Sequence, residues 1–553
     1  MTSSNRSPSL SSHSKGDDGD IHKEKDPALA APQSGTSAHM VEDMENVTPV
    51  PGQDSRKVLT EDMAYDKLGF SYSTTKKWTI LTVIFIVQTS MNFNASIFAN
   101  AIDGLSSSFN ISSQAARVGQ CVFLVTYAFG CELWAPWSEE IGRKPVLQAS
   151  LFLVNIWQIP AALAPNFGTM VVARFLGGLS SAGGSVTLGM VADMWHPADQ
   201  QFAVAYVVLS SVGGSVVGPI VGGFVQNFLS WRWIFWVQLI FGAFTQALHL
   251  FVPETRVDIL LDREAKRRRE SGEEEVWGPN EVKGPLFKRL TLKELGKIWF
   301  RPFRMFATEP IVLCLSLLSG FSDALIFTFL ESYQPVFKQW NFSTIALGLA
   351  FLPLLIGYFI AWFSFMPFFK RDQAFMRKHG PNSMPPERRL YWLLYTAPLE
   401  AIGLFGFAWT SLGPPKIPWI APLLFSSLVG IANYAIYMAT IDYMVASYGP
   451  YSASATGGNG FARDFLAGIA AMYATPFYTN LKSNPKYTLE YPTTILACIA
   501  VVVTIPIYVF YWKGEWFRER SRFAQTLAGQ RRETDTRRRS SVAALQGGEG
   551  EKV

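Results

Sequence analysis

Between Asp199 and Arg232 the chain runs for 32 residues without a charged side chain. A helix rises about 1.5 Å per residue, so such a run crosses a hydrocarbon core of roughly 30 Å, where lipid offers the backbone no other hydrogen-bonding partner. Uncharged intervals recur from Trp78 to Ile102, Pro145 to Ala173, Phe175 to Ala192, Trp233 to Pro253, Gln339 to Phe369, Ile417 to Ile441, Tyr443 to Ala462 and Tyr491 to Trp512. Three more, near residues 117–137, 308–337 and 391–411, qualify if one or two charges each are accepted inside the membrane. The pattern predicts an all-α membrane protein with twelve transmembrane helices. Hydrophobic residues make up 49% of the chain and come in blocks rather than at amphipathic spacing, which argues against a string of soluble domains.

An even number of spans leaves both termini on one side, and the basic residues choose it. Residues 254–307 carry thirteen Lys and Arg, residues 370–389 six, and the stretch from Lys513 ten. The short connections near 104–116, 165–168, 338–343 and 412–417 hold only Lys338 and Lys416. Both termini and the central loop are therefore expected in the cytoplasm. Two glycosylation sequons, Asn110-Ile-Ser112 and Asn341-Phe-Ser343, fall in loops that the same rule places outside. The expected organisation is a disordered tail over 1–76 without a cleavable signal, a six-helix bundle over 77–253, a central loop over 254–307, a second six-helix bundle over 308–512 and a basic tail over 513–553. The first part of the central loop reads as a charged helix. Its later part, from Leu286 to Trp299, reads either as a helix on the inner leaflet or as a solvated linker. The net charge of +5 implies no nucleic-acid partner, and the four cysteines fall in spans without metal-ligand spacing, so neither a disulfide nor a metal site is expected.

Inside the first run, Gly214, Gly218 and Gly222 recur every fourth residue and clear one helix face, while Pro219 and Gly223 interrupt the same stretch. The connection between spans two and three reads Ala135-Pro-Trp-Ser138-Glu139-Glu140-Ile-Gly142-Arg143-Lys144-Pro145. It resembles the signature loop of the major facilitator superfamily, in the form found in fungal twelve-span drug:proton antiporters. Ala135, Glu139 and Glu140 depart from the usual Gly, Asp and basic residue. Arg174-Phe-Leu-Gly-Gly178, the GxxxGPxxGG pattern over 214–223, Trp231-Arg232-Trp and Pro253-Glu-Thr also look like that branch, and the resemblance covers residues 77 to about 525.

The resemblance implies two six-helix bundles that expose a central site alternately to either side, with a proton gradient rather than a bound cofactor as the energy source and a monomer as the working unit. It makes Asp193 a second acceptor for Arg143 beside Glu139, and Gly142, Arg143 and Lys144 parts of a cytoplasmic latch that closes when the protein faces outward. It ties Arg174 to proton coupling, and Asp103, at the outer end of span one, is a candidate partner by depth. It also implies that the GxxxGPxxGG stretch is a hinge or seal between the bundles, with ordinary close packing of helices as the competing account.

Charges inside spans are costly and usually face a bundle interior, and here they are Glu132, Arg174, Asp323, Glu331, Glu400, Asp442, Arg463 and Asp464. By depth, Asp323 on span seven approaches Arg463 and Asp464 on span eleven. Asp323, with Glu331 as second choice, is the expected proton-binding carboxylate. A structural ion pair is the competing account. Span one is rich in small polar groups that suit a wet cavity, including Asn92 and Asn94, and Tyr127, Phe327, Phe329, Tyr434 and Tyr437 are candidate aromatic walls, although packing explains most aromatics in spans.

The expected function is secondary active export of a small organic molecule, such as a toxin, drug or secondary metabolite, in exchange for protons. Polyamine export and nutrient uptake by symport are the alternatives, and a transport-like receptor is a remote one. No GxxxxGK[ST], HExxH or GxSxG is present to suggest an ATPase or a hydrolase, so no enzyme is expected. The plasma membrane is the expected site, with the vacuole or another internal membrane as the alternative.

Overall fold

The computed structural model describes residues 57–196, 199–284, 291–379, 383–481 and 488–525. Among these the chain is mainly helical, with one isolated bridge between Val58 and Trp277. Eleven segments are long and apolar enough to cross a membrane: Thr74–Phe109, Ser113–Glu140, Arg143–Ala162, Phe167–Met194, Gln200–Phe228, Arg232–Leu250, Pro310–Trp340, Thr344–His379, Pro386–Thr410, Ile420–Tyr448 and Glu490–Arg520. They are spans one to ten and span twelve. Span eleven is the 29-residue helix Ser452–Asn480, whose glycines, Asn459, Arg463 and Asp464 dilute its hydropathy. The uncharged interval Tyr443 to Ala462 thus straddles two spans. The chain turns between them at Gly449, whose φ of 47° lies in the left-handed region.

Helix starts follow local chemistry. Ser73, Ser112, Asn166 and Ser343 each precede a helix and accept a hydrogen bond from the backbone N–H three residues on. Many large apolar side chains are left exposed on the bundle, among them Phe244, Phe251, Phe363, Leu424 and Val502, as a lipid-facing surface requires.

Span one packs on five, two on four, and three on six; in the second half seven packs on eleven, eight on ten, and nine on twelve. The pairing repeats with an offset of six spans, a symmetry that no sequence repeat discloses. The halves meet where span two packs on eleven and span five on eight.

The glycine stripe lies mostly inside one half. A Cβ on Gly214 would sit 2.7 Å from the Thr89 carbonyl, one on Gly218 1.9 Å from Ser96 Oγ, and one on Gly222 2.2 Å from Asn100 Oδ1, all on span one. Only the edge made by Pro219 and Gly223 reaches the other half. There a Cβ on Gly348 of span eight would lie 2.8 Å from the Pro219 carbonyl. The expected seal between bundles is therefore chiefly a close contact of spans one and five, because glycines four apart all face the helix that Gly214 faces.

Residues 57–76, expected as the end of a disordered tail, are folded from Lys57. Leu59, Ala64 and Leu68 bury against Val257, Leu261 and Ala265, a stripe on the loop helix Val257–Glu270, and against Val276. Arg268 Nη2 donates to the Met63 carbonyl at 2.9 Å. Composition registers the polar majority of this segment and misses three apolar residues that meet an apolar stripe. The later loop helix, Leu292–Thr308, packs on spans two and eleven through Phe303, which meets Phe129 and Phe461. Residues 1–56, 285–290 and the tail beyond Gln525 lie outside the described residues.

Gly218→Leu is expected to lower the thermal midpoint of the purified protein, since overpacking of this kind costs about 1–3 kcal/mol. Gly213→Ala, whose Cβ would meet only Leu355 Cδ1 at 4.0 Å, serves as the control. Equal midpoints for the two variants would show that the span-one contact is not tight.

Candidate functional site

The halves are joined at the end that carries Asn110 and Asn341. Arg117 Nε on span two lies 2.7 Å from Glu331 Oε2 on span seven, and the Thr475 hydroxyl of span eleven donates to the same oxygen at 3.1 Å. Gln114 Nε2 of span two donates to the Met472 carbonyl of span eleven at 2.7 Å, adding a second tie between the halves. Both sequon asparagines are exposed there and adopt positive φ, 55° at Asn110 and 58° at Asn341.

From beneath this closure a cavity of about 900 Å³ extends to the opposite, basic end. Its inner part is lined by Gln88 and Asn92 of span one, Tyr127 and Glu132 of span two, Tyr437 of span ten, and Arg463 and Asp464 of span eleven. Its outer part is lined by Arg143, Asp193, Arg256, Arg389 and Ser452.

Asp323 and Arg463 do meet, at 3.0 Å and both buried. The guanidinium also lies 3.4 Å from the centre of the Tyr437 ring. Arg463 faces the cavity, and Asp323 stands behind it rather than in the lining. Asp464, the next residue, is half-buried and lines the cavity. Glu331 belongs to the closure with Arg117 and lies away from the inner cavity, which sets it apart from Asp323.

Arg174 is buried, and its hydrogen bonds go to the Asn94 amide oxygen at 2.8 Å and to the Gly119 and Asn94 carbonyls at 3.4 Å. The Phe98 and Phe123 rings flank its guanidinium at 4.8 and 3.8 Å. Asp103, the candidate partner, is exposed and makes no ion pair with it among the described residues. Neutral oxygens and aromatic faces satisfy this cation, so depth alone suggested the wrong neighbour.

Of the expected wall residues, Asn92, Tyr127 and Tyr437 line the cavity. Asn94 is engaged by Arg174, Phe327 is buried in the packing of span seven, and the Tyr434 hydroxyl donates to the Ala205 carbonyl at 2.9 Å, bridging spans ten and five. Phe329 packs on Tyr333 and Phe407.

At the basic end, Gly142 takes a φ of 114°, and span three starts at Arg143. Glu254, just beyond span six, receives the Arg143 and Lys144 backbone N–H groups at 2.9 and 3.2 Å, a carboxylate at a helix N-terminus. Arg143 Nε donates to Asp193 Oδ2 at 3.0 Å and Nη1 to the Ser138 hydroxyl at 2.7 Å, while Lys144 Nζ donates to the Leu250 carbonyl at 2.8 Å. Arg256 approaches Asp193 at 3.7 Å and donates to the Glu139 carbonyl at 3.2 Å. Among the described residues Arg143 thus pairs with Asp193 and not with Glu139. The cluster ties spans two, three, four and the end of six within one half. It is intact while the cavity reaches this end, so opening the basic end does not require breaking it.

Three features lay outside the expected site. Glu132 stood among the intramembrane charges without a role. Asp442 is held by Arg389 and Gln201, which joins spans nine, ten and five. Glu254 was legible only as part of Pro253-Glu-Thr, with nothing in the sequence to bring it to residue 143.

The sequence matches the Major Facilitator Superfamily over residues 84–472. It is 32% identical over 463 residues to the MFS-type transporter kojT of Aspergillus flavus, covering 82% of this chain and 80% of that one. It is 34% identical over 403 residues to the efflux pump atB of Aspergillus terreus, covering 70% and 81%. A citrinin biosynthesis cluster MFS transporter, mrr1 of Monascus ruber, is 28% identical over 515 residues, covering 91% and 99%. Among solved structures, the proton:xylose symporter XylE shares the fold with a TM-score of 0.54 at 18% identity, over 80% of this chain and 96% of that one. Twelve spans in a repeated pairing around one cavity, matched by family and by fold, make this chain a transporter rather than an enzyme, and it belongs to the Major Facilitator Superfamily.

Proposed function

We propose that the protein is a proton-coupled antiporter that exports a small organic molecule, a toxin, drug or secondary metabolite, by alternating access. The observation that carries this reading is the cavity between the halves, closed at the sequon end, reaching the basic end, and carrying ionisable groups at its inner part. A cavity open to one side is half of an alternating-access cycle, and the Arg117–Glu331 tie is a contact that the other half of the cycle must break. Relatives named as an efflux pump and as biosynthesis-cluster transporters favour export. The excess of Lys and Arg at the basic end supports a cytoplasmic placement of both termini, and the exposed sequon loops suit glycosylation outside. The plasma membrane is the proposed location, and a monomer the proposed working unit. Proton coupling is assigned to the Asp323–Arg463–Asp464 group, with Arg174 and Glu331 as supports of the first half and of the closure. Asn92 and Tyr127 are assigned to the substrate wall. The Arg143–Asp193–Glu254 cluster is assigned to holding the first half rigid.

Reconstituted vesicles with an imposed pH gradient should show gradient-dependent flux of a screened load, and Asp323→Asn should abolish its proton dependence. Flux that ignores the gradient in the unchanged protein would exclude antiport. Removing one partner of a buried ion pair costs about 3–5 kcal/mol. Arg117→Ala should accordingly shift the population toward a state open at the sequon end, read as a lengthened distance between spin labels at positions 111 and 480. An unchanged distance would mean that other contacts hold the closure.

A further inference from the structure

The geometry points to a binding site for an organic cation, such as a protonated amine on an aromatic or aliphatic body, formed by Glu132 on span two and Asp464 on span eleven. It rests on the transport reading above and names the substrate class.

The charges around the cavity decide its sign. Each arginine in the lining has a carboxylate partner: Arg143 has Asp193, Arg256 has Asp193 and Asp258, Arg389 has Asp442, and Arg463 has Asp323. Among the described residues Glu132 and Asp464 have neither an ion pair nor a hydrogen bond, although Glu132 is only 7% exposed and both face the cavity. The Tyr127 hydroxyl beside them, 4% exposed, has only the Cys131 thiol as a weak partner. With all groups ionised, Arg463 contributes +1 to the inner cavity and Asp323, Asp464 and Glu132 contribute −3, a net charge of −2. Buried charge of that kind requires neutralisation, by protons or by a bound cation.

The space beside the pair is kept clear. A Cβ on Gly457 would lie 2.7 Å from both Glu132 carboxylate oxygens, and a Cβ on Gly460 would meet no atom within 4 Å. Positions 457, 460 and 464 share one face of span eleven, so two glycines leave a bare strip leading from Glu132 to Asp464. Tyr127, Tyr437 and Ile441 supply an apolar wall for the body of the ligand.

The site also accounts for exchange. When both carboxyls carry protons, an arriving ammonium group pairs with a carboxylate as its proton leaves to water, so the charge of the site is conserved and proton and cation exclude each other. The charged and titratable groups facing the pair are Arg463 on span eleven, Asp323 and Tyr358 behind it on spans seven and eight, Tyr437 and Asp442 on span ten, Tyr127, Cys131 and Glu139 on span two, and Asp193 on span four. The helix Leu292–Thr308, packed on spans two and eleven, carries Arg301 and Arg304, and Arg301 lies over Tyr451 toward the basic end.

The test is calorimetric binding of tetraphenylphosphonium to the full chain in nanodiscs, repeated across pH and in buffers of different ionisation enthalpy to count released protons. Triphenylphosphine oxide serves as the neutral probe and tetraphenylborate as the anionic one. Binding of the cation alone is expected, weakening as pH falls, with proton release. Glu132→Gln and Asp464→Asn should each weaken it about tenfold or more, and Glu132→Asp should retain most of it. Equal binding of the neutral or anionic probe, or tetraphenylphosphonium binding indifferent to both variants of a monodisperse protein, overturns the proposal. In pH-gradient vesicles, flux of a neutral load that survives Glu132→Gln overturns the cation site and leaves antiport standing. Cation binding that needs Glu132, without gradient-driven flux, keeps the site and rejects antiport.

Discussion

Hydrocarbon offers no hydrogen-bonding partner, so every polar group inside this bundle must be satisfied by the chain itself or by a wet cavity. That constraint sorts the interior. Arg174 is surrounded by amide oxygens and phenyl faces, Glu331 by Arg117 and Thr475, Asp323 by Arg463, and Asp442 by Arg389 and Gln201. Each satisfied group becomes a fastener between particular spans. Two charged groups left with neither an ion pair nor a hydrogen bond among the described residues, Glu132 and Asp464, line the cavity, and there the protein has chemistry to offer a load.

The fasteners are of two kinds. Within a half, close packing dominates: spans one and five approach until Gly218 leaves no room for a methyl group, and Glu254 binds the start of span three to the end of span six. Between the halves the ties at the sequon end are few and polar, an ion pair and a hydrogen bond, joined by the glycine contact of spans five and eight. Toward the basic end Gln201 of span five meets Asp442 of span ten and Gln373 of span eight meets Asp199, and rigid halves joined by a few such polar ties suit a rocking motion better than a rearrangement inside either half.

Much of this was legible in the sequence, because lipid imposes simple rules. Uncharged runs marked the spans, and charge inside a run marked the groups that needed partners. The rules failed where ends and neighbours were at stake. An uncharged interval stops at a charge, whereas a helix stops at a turn such as Gly449, so the run from Tyr443 to Ala462 merged the end of span ten with the start of eleven. Depth brought Asp323 to Arg463 correctly and suggested Asp103 for Arg174 wrongly, because depth says nothing about which face of a helix a side chain occupies. The buried segment at 57–72 escaped notice because three apolar residues among many polar ones carry no periodic signal, and their partner is a stripe some two hundred positions away.

The offset-of-six pairing makes span five the counterpart of span eleven, yet the two are chemically opposite. Span five has no charge between Asp199 and Arg232, and it meets its neighbours through bare backbone at Gly214, Gly218 and Gly222. Span eleven carries an arginine and an aspartate at the depth of the cavity. A single architectural plan has thus been cut in two materials. One copy is a smooth bearing that meets its neighbour through bare backbone, and the other is a charged lever whose arginine is tied to Asp323 and whose aspartate faces the cavity.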